Sequence, residues 1–522
     1  MFTRSGTAWS QQAKLIASDG STSDRLGSAV ALAGDIALVG AASDDIGANS
    51  DQGSVRTFDV AANDFPLAHN DVTDISFTSL AAALLPATSG QQITATEAAW
   101  RTAGNLDTAG RSLILRSSGD LRTSSTSTLT LGGSSSLNTD SGNVVEINGQ
   151  LRAQDFVDVY AADFTLGSRG ILTARTNSSL TINAPAANLD GQTRAEQGAA
   201  LTFAGSALAI GPTTLAFGST LTAGGVFENI DALSITDATV AAPLLFNRST
   251  FNVFGGCAIF GSFTNNAGAV TTIRGETLYV FGSLTNNGTI IGTICSNCRN
   301  GDPDLDVTGT LALGPAASLL LPFDQSVVSV GGDFDCAINS NSRYDMHLAT
   351  LQLEGAAAEQ TLEVMSADIG PVAAGLDRTL AGHYPVGTLR IGPAPSTARL
   401  VDTHDNDLAG QGSCEALYVD HIIIDAGSRL INTTCRVYYN TASVQGTVDV
   451  PANLIQIGVP PTCDPDFNQD GNVDQDDIEC LAQVVAGDPS CSPNDPDFNR
   501  DGNVDQDDID VLAQVVAGAP CP

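Results

Sequence analysis

Lysine is almost missing from this chain: Lys14 is the only one, and Lys and Arg together number 22 against 58 Asp and Glu. A lysine base or clamp is thereby excluded from everything that follows it. The formal net charge of −36 makes nucleic acid and anionic membrane poor partners. Histidine is scarce too, and His69, His347, His383, His404 and His421 stand in no metal-ligand spacing. No apolar run approaches the length that crosses a bilayer, so membrane insertion is not expected. Met1-Phe2-Thr3-Arg4-Ser5-Gly6 is not followed by the apolar stretch of a secretion leader. Helical periodicity is nearly absent from residues 61 to 455, which removes the all-α classes.

What is there is clearest at the C-terminus. Residues 466–477 read Asp-Phe-Asn-Gln-Asp-Gly-Asn-Val-Asp-Gln-Asp-Asp, and the pattern returns at 497–508. Loop positions 1, 3, 5, 9 and 12 are Asp, Asn, Asp, Asp and Asp in both copies, with Gly at position 6. Ca²⁺ takes six to eight oxygens, and a twelve-residue loop supplies them at this spacing, the position-7 carbonyl included. The expected ligands are Asp466, Asn468, Asp470, Asn472, Asp474 and Asp477 for one ion, and Asp497, Asn499, Asp501, Asn503, Asp505 and Asp508 for a second. After the loops, Ile478, Leu481, Val484 and Val485, and then Ile509, Leu512, Val515 and Val516, fall at helical spacing before Gly487 and Gly518. Prolines before each loop forbid an entering helix. The last 60 residues hold fifteen acids and one base, Arg500, so calcium is expected as a folding cofactor rather than a catalyst.

Loop plus exiting helix, doubled, resembles a type I dockerin, the module that docks secreted polysaccharide-degrading enzymes onto cohesin domains. The resemblance covers residues 463–522. It implies two Ca²⁺ ions and a cohesin-like or cell-envelope protein partner. Gln475-Asp476 and Gln506-Asp507 stand where clostridial dockerins carry a Ser/Thr pair. The added Cys463, Cys480, Cys491 and Cys521 make the tail more similar to dockerin-like ends of large planctomycete surface proteins. Ten cysteines in all point to an oxidising compartment. In the tail, Cys463–Cys521 and Cys480–Cys491 are one of three possible pairings. A zinc site is the rival, weakened by the absence of histidine there.

At the other end, Leu26-Gly27-Ser28-Ala29-Val30, Gly34-Asp35-Ile36-Ala37-Leu38-Val39 and Gly53-Ser54-Val55-Arg56-Thr57-Phe58 resemble an FG-GAP repeat, a blade of integrin-like β-propellers. One blade cannot bury its faces alone. The expectation is an incomplete propeller-like segment over residues 1–60, with a leader and further blades encoded upstream. Asp44, Asp45 and Asp51 are expected to be solvated turn acids.

Between the ends, Gly261-Ser262-Phe263-Thr264-Asn265-Asn266 repeats as Gly282-Ser283-Leu284-Thr285-Asn286-Asn287, and Ser179-Leu180-Thr181-Ile182 as Ala200-Leu201-Thr202-Phe203, both at an offset of 21. This period signals a parallel β-helix, or β-solenoid, over residues 61–455, with Asn at equivalent positions able to stack into a hydrogen-bonded ladder. Cys414 and Cys435, also 21 apart, are expected on adjacent rungs, where a disulfide is possible. Cys295-Ser296-Asn297-Cys298 is a lone Cys-x-x-Cys, weak evidence for metal without a second pair, and a disulfide with Cys257 or Cys336 is at least as good a reading.

The fold class expected is therefore mostly β: solenoid, propeller-like N-terminal segment, a linker at 456–462 and a small α-helical calcium-binding dockerin-like domain at 463–522. Catalysis would need two placed carboxylates. Asp302, Asp304 and Asp306 alternate along one possible strand, and Asp402, His404, Asp405 and Asp407 form a second cluster, yet both read more simply as solvated turns. Asn138-Thr139-Asp140 is similar to a polygalacturonase fragment whose companion motifs are missing. Tyr418, Tyr438 and Tyr439 would bind sugar rings only if they face outward. A non-catalytic, extracellular or cell-surface attachment protein is the preferred reading. A polysaccharide lyase or glycoside hydrolase tagged with a dockerin, and a carbohydrate-binding solenoid without turnover, are the alternatives.

Overall fold

The computed structural model describes the chain except for residues 1, 6–7, 12–16, 18–20, 34–35, 47–48, 60–66, 78, 295–301, 356–358, 394, 408–413, 459–464, 489–490, 492–495, 497, 499–503 and 518–522. Strand makes up 48% and helix 10%, and the dominant element is a β-solenoid of about 17 turns. Two compact units are separable, residues 1–455 and residues 456–522. No helix among the described residues is long and apolar enough to cross a membrane.

Each solenoid turn is built from short strands on three faces, and each strand pairs in parallel with its counterpart one turn on. Period-2 alternation dictates this: in Ser179–Asn183, Leu180 and Ile182 point inward while Ser179, Thr181 and Asn183 stay half-exposed. The 21-residue offset is the rung register itself. Leu180 pairs with Leu201 and Ile182 with Phe203, and Phe263 pairs with Leu284 and Asn265 with Asn286. Corners need small residues because rungs approach closely there. A Cβ added at Gly211 would lie 2.3 Å from the carbonyl oxygen of Gly191.

Four fully buried asparagines form the expected ladder. Asn229 donates through Nδ2 to Asn247 Oδ1 at 2.8 Å, Asn247 to Asn265 at 2.8 Å and Asn265 to Asn286 at 2.9 Å. The last in the column, Asn286, donates to the carbonyl of Ser318 at 2.9 Å. Every amide group therefore points the same way along the stack. Stacking also claims the tyrosines: Tyr418 and Tyr438, on adjacent rungs, are 4.8 Å apart between ring centroids and fully buried, so neither is offered to a sugar.

The first rung is closed by elements that periodicity does not reveal. Helix α1 (Leu80–Leu84) and helix α2 (Glu97–Thr102) start at Ser79 and Thr96, whose hydroxyls accept from Ala82 N and Ala99 N. They bury Leu80, Ala83, Leu84, Ala99 and Trp100 in the solenoid core. Strand Ala68–Asn70 runs antiparallel to Gln92–Ala95 and ends the parallel run.

The N-terminal sheet is separate from the solenoid sheets: Leu26–Ala33, Ile36–Ala41 and Ser54–Asp59 pair antiparallel, and the hairpin Phe2–Ser5 with Ala8–Gln11 is a two-stranded sheet of its own. Val30, Leu38 and Val55 are exposed on the three-stranded sheet, while Ala37, Val39 and Ala41 are buried. Asp44 departs from expectation. It is buried, bonded to the Ser54 hydroxyl and paired with Arg56 at 3.5 Å, while Asp45 accepts from Asp51 N at 2.8 Å.

In the C-terminal unit, helix α3 (Gln475–Val485) and helix α4 (Gln506–Val516) pack around Phe467, Cys480, Leu481, Phe498 and Leu512. Both helices follow the predicted spacing because the apolar stripe is their only buried face. Disulfides join Cys414 to Cys435 and Cys480 to Cys491. Buried Cys257 and Cys336 are free thiols, so the expected bridge from Cys295 or Cys298 to either does not form. Cys295, Cys298, Cys463 and Cys521 lie outside the described residues.

Candidate functional site

The first C-terminal loop is described throughout. Gly471, at position 6, has φ +92°, the left-handed conformation that reverses the chain there. Asp466 accepts from Asp470 N at 3.0 Å and from Gly471 N at 2.9 Å, one bond to each carboxylate oxygen. Asn468 Oδ1 accepts from Asp470 N at 2.9 Å, and Asp470 Oδ1 from Asn472 N at 2.8 Å. The loop closes on Asp477, which is fully buried and accepts from Asn468 N at 3.0 Å and from Asp474 N at 2.8 Å. Asp474 in turn caps α3 through Asp476 N at 2.9 Å.

Asp497, Asn499, Asp501 and Asn503 of the second loop lie outside the described residues. Its end repeats the first: Asp508 is fully buried and accepts from Asp505 N at 2.9 Å, and Asp505 caps α4 through Asp507 N at 2.9 Å. A carboxylate oxygen has more than one lone pair, so accepting an N–H does not by itself prevent it from binding a cation. The donor set is all oxygen, which suits a hard cation.

Among the described residues, three or more acid, imidazole or thiol ligand atoms come within 4.8 Å of one another at two places, and neither is in the tail. One is Asp335, Glu363 and His404, the other Asp405, Asp407 and Glu415. Both are built on the segment between strands Thr397–Val401 and Leu417–Ile424. Sequence reading treated Asp402 to Asp407 as a solvated turn, but the segment folds against the rungs. His404 Nε2 is hydrogen-bonded with Asp335 at 2.7 Å. Glu363, 1% exposed, accepts from Thr403 N and His404 N, both at 2.7 Å, and from the Thr403 hydroxyl at 2.5 Å. Burial pushes its carboxyl above the ordinary range. Asp402 accepts from Glu415 N at 3.1 Å.

Glu363 and Glu415 were missed because their partners lie elsewhere in the chain, and nothing in the local pattern marks them. Of the other acids weighed for catalysis, Asp302 and Asp304 fasten one rung to the next. Pro303 opens strand Pro303–Val307, which sets Asp304 and Asp306 on its half-exposed face. Asp304 accepts from Val327 N at 2.8 Å and Asp302 from Gln325 N at 3.3 Å. Asp140, beside Asn138 and Thr139 in a surface hollow, is paired with Arg116.

Set beside known proteins, the chain carries an FG-GAP repeat at residues 9–58, which spans the N-terminal sheet. No curated protein and no solved structure matches it significantly. A β-solenoid joined to an FG-GAP repeat fits a surface or adhesion-type protein, and the two disulfides are compatible with an extracellular location.

Proposed function

We propose that this is a secreted or cell-surface attachment protein whose solenoid is a rigid shaft and whose tail is a calcium-folded, dockerin-like plug for a cohesin-like or cell-envelope partner. About 17 turns at a rung spacing of roughly 4.8 Å give a shaft of about 80 Å. The observation that carries the reading is the pair Asp477 and Asp508: each is fully buried at position 12 of its loop, in a tail with fifteen acids and one base. Beyond the backbone N–H groups from which each accepts, a buried carboxylate is stabilised by a counter-charge, and the tail's acids far outnumber its single base. Two Ca²⁺ ions would supply that charge, one held by Asp466, Asn468, Asp470, Asp474, Asp477 and the Asn472 carbonyl, the other by Asp497, Asn499, Asp501, Asp505, Asp508 and the Asn503 carbonyl.

Amide exchange on the intact chain tests this. Chelation of calcium is expected to speed exchange across residues 466–485 and leave the solenoid strands before residue 397 unchanged, with Asp470→Ala reproducing the effect at 466–485 in calcium. Protection in 466–485 that ignores both chelator and variant would remove the premise. Loss of binding to isolated cell envelopes on chelation, restored by calcium, would then support the docking role.

A further inference from the structure

We propose that Asp405, Asp407 and Glu415 form a second kind of cation site, on the solenoid itself, for a hard divalent ion of the calcium type. Their carboxylate oxygens lie within 4.8 Å of one another. Two oxygens on opposite sides of a calcium ion are about 5 Å apart, since each bond is about 2.3–2.6 Å, so one ion spans this spacing. The trio contains no imidazole or thiol, which selects against softer metals.

Glu415 points independently to a ligand. It is 6% exposed, and its Oε1 is taken by two backbone amides, Asn406 N at 2.7 Å and Asp407 N at 2.9 Å. Its Oε2 is shut off from solvent and has no hydrogen-bond partner. Ionised, that oxygen lacks a donor or cation; protonated, it lacks an acceptor. Either state leaves a buried polar atom unsatisfied, which is unfavourable.

A second orphan sits alongside. Asn406, fully buried, spends its Nδ2 on the carbonyls of Cys336 at 2.9 Å and Ile338 at 2.7 Å, while its Oδ1 has no partner. Burial, with Asp407 and Asp402 nearby, pushes the Glu415 carboxyl up to about 8, as expected of an acid that lacks a positive neighbour. The exposed Asp405 leaves the trio a side open to solvent. Bound there, the ion fastens the 402–407 segment to the residue next to the Cys414–Cys435 bridge.

Terbium tests the site on the full chain. Tyr384 donates from its hydroxyl to the Asn406 carbonyl at 2.9 Å, so a tyrosine stands beside the cluster. Residues 456–522 contain no Tyr or Trp, so the tail loops have no sensitiser within their own unit, and Asp470→Ala identifies any emission they contribute. The expected result is emission displaced by Ca²⁺, with Tb³⁺ binding weakened roughly tenfold or more by Asp407→Asn and by Glu415→Gln, and kept in Asp470→Ala. Should Glu415→Gln fail to fold, as read by circular dichroism, Asp405→Asn at the exposed rim carries the same expectation. Absence of emission in the wild-type chain, or emission that neither Asp407→Asn nor Asp405→Asn weakens, overturns the proposal.

Discussion

Asn265, like Asn247, makes four side-chain hydrogen bonds within the asparagine column and its surroundings, and its replacement measures what the column contributes. Its Nδ2 donates to Asn286 Oδ1 at 2.9 Å and the Thr289 carbonyl at 3.0 Å; its Oδ1 accepts from Asn247 Nδ2 at 2.8 Å and the Thr271 hydroxyl at 3.1 Å. Asn265→Ala deletes all four. At about 1 kcal/mol each the gross loss is about 4 kcal/mol. Two neighbours keep a second partner, since Asn247 Nδ2 also reaches Ser249 O and Asn286 Oδ1 also accepts from Gly288 N. That brings the expected loss to about 3 kcal/mol.

Asn229, at the head of the column, is the internal control. It makes three bonds, through Nδ2 alone, and its Oδ1 has no partner, so Asn229→Ala should cost about 2 kcal/mol. Stacked repeats need not unfold in one step. Urea unfolding by circular dichroism should therefore be read beside amide exchange of residues 257–265 and 284–286. A value for Asn265→Ala within about 0.5 kcal/mol of wild type, or below that for Asn229→Ala, would refute the reasoning.

Two further outcomes are expected. Burial first, and Glu354 second, raise the Asp306 carboxyl, whose Oδ1 is buried without a partner. A raised folded-state value means the unfolded chain loses its proton first, so stability falls as pH climbs from the ordinary aspartate range through the folded value. Asp306→Asn should therefore match wild type in urea unfolding at acid pH and exceed it at neutral pH; no gain at neutral pH would count against the assignment. The Cys414–Cys435 bridge closes a separation of 21 residues, which constrains the unfolded chain by about 3 kcal/mol. Cys435→Ser should lower the thermal midpoint and speed exchange in 417–424 and 437–444, and a reductant that leaves wild type unchanged would contradict this.

How much of this was legible in the sequence depended on distance along the chain. The 21-residue echo of Phe263 to Asn265 in Leu284 to Asn286 could be read because it is the rung register. Asn229 and Asn247 belong to the same column but sit 18 apart, so a search at one period passes over them. Helices α1 and α2 are five and six residues long, too short for periodicity, and Ser79 and Thr96 were the only local signs of them. Nothing in the local pattern marks Glu363 or Glu415. Glu363 finds its partners 40 and 41 residues on, at Thr403 and His404, and only the folded stack brings them together. The tail helices were readable because each has one apolar face and a carboxylate cap written into a short, repeated word.

The antiparallel strand Ala68–Asn70 and the two short helices behind it have a consequence for crowded surfaces. A bare terminal rung offers a row of free amides and carbonyls, onto which another molecule can add and then another, until a fibre forms. Here that row is occupied from within the chain, against Gln92–Ala95, and Trp100 fills the space where a newcomer's side chains would lodge. The edge of Gln92–Ala95 is thereby closed to a further parallel strand, which disfavours end-to-end addition along this face.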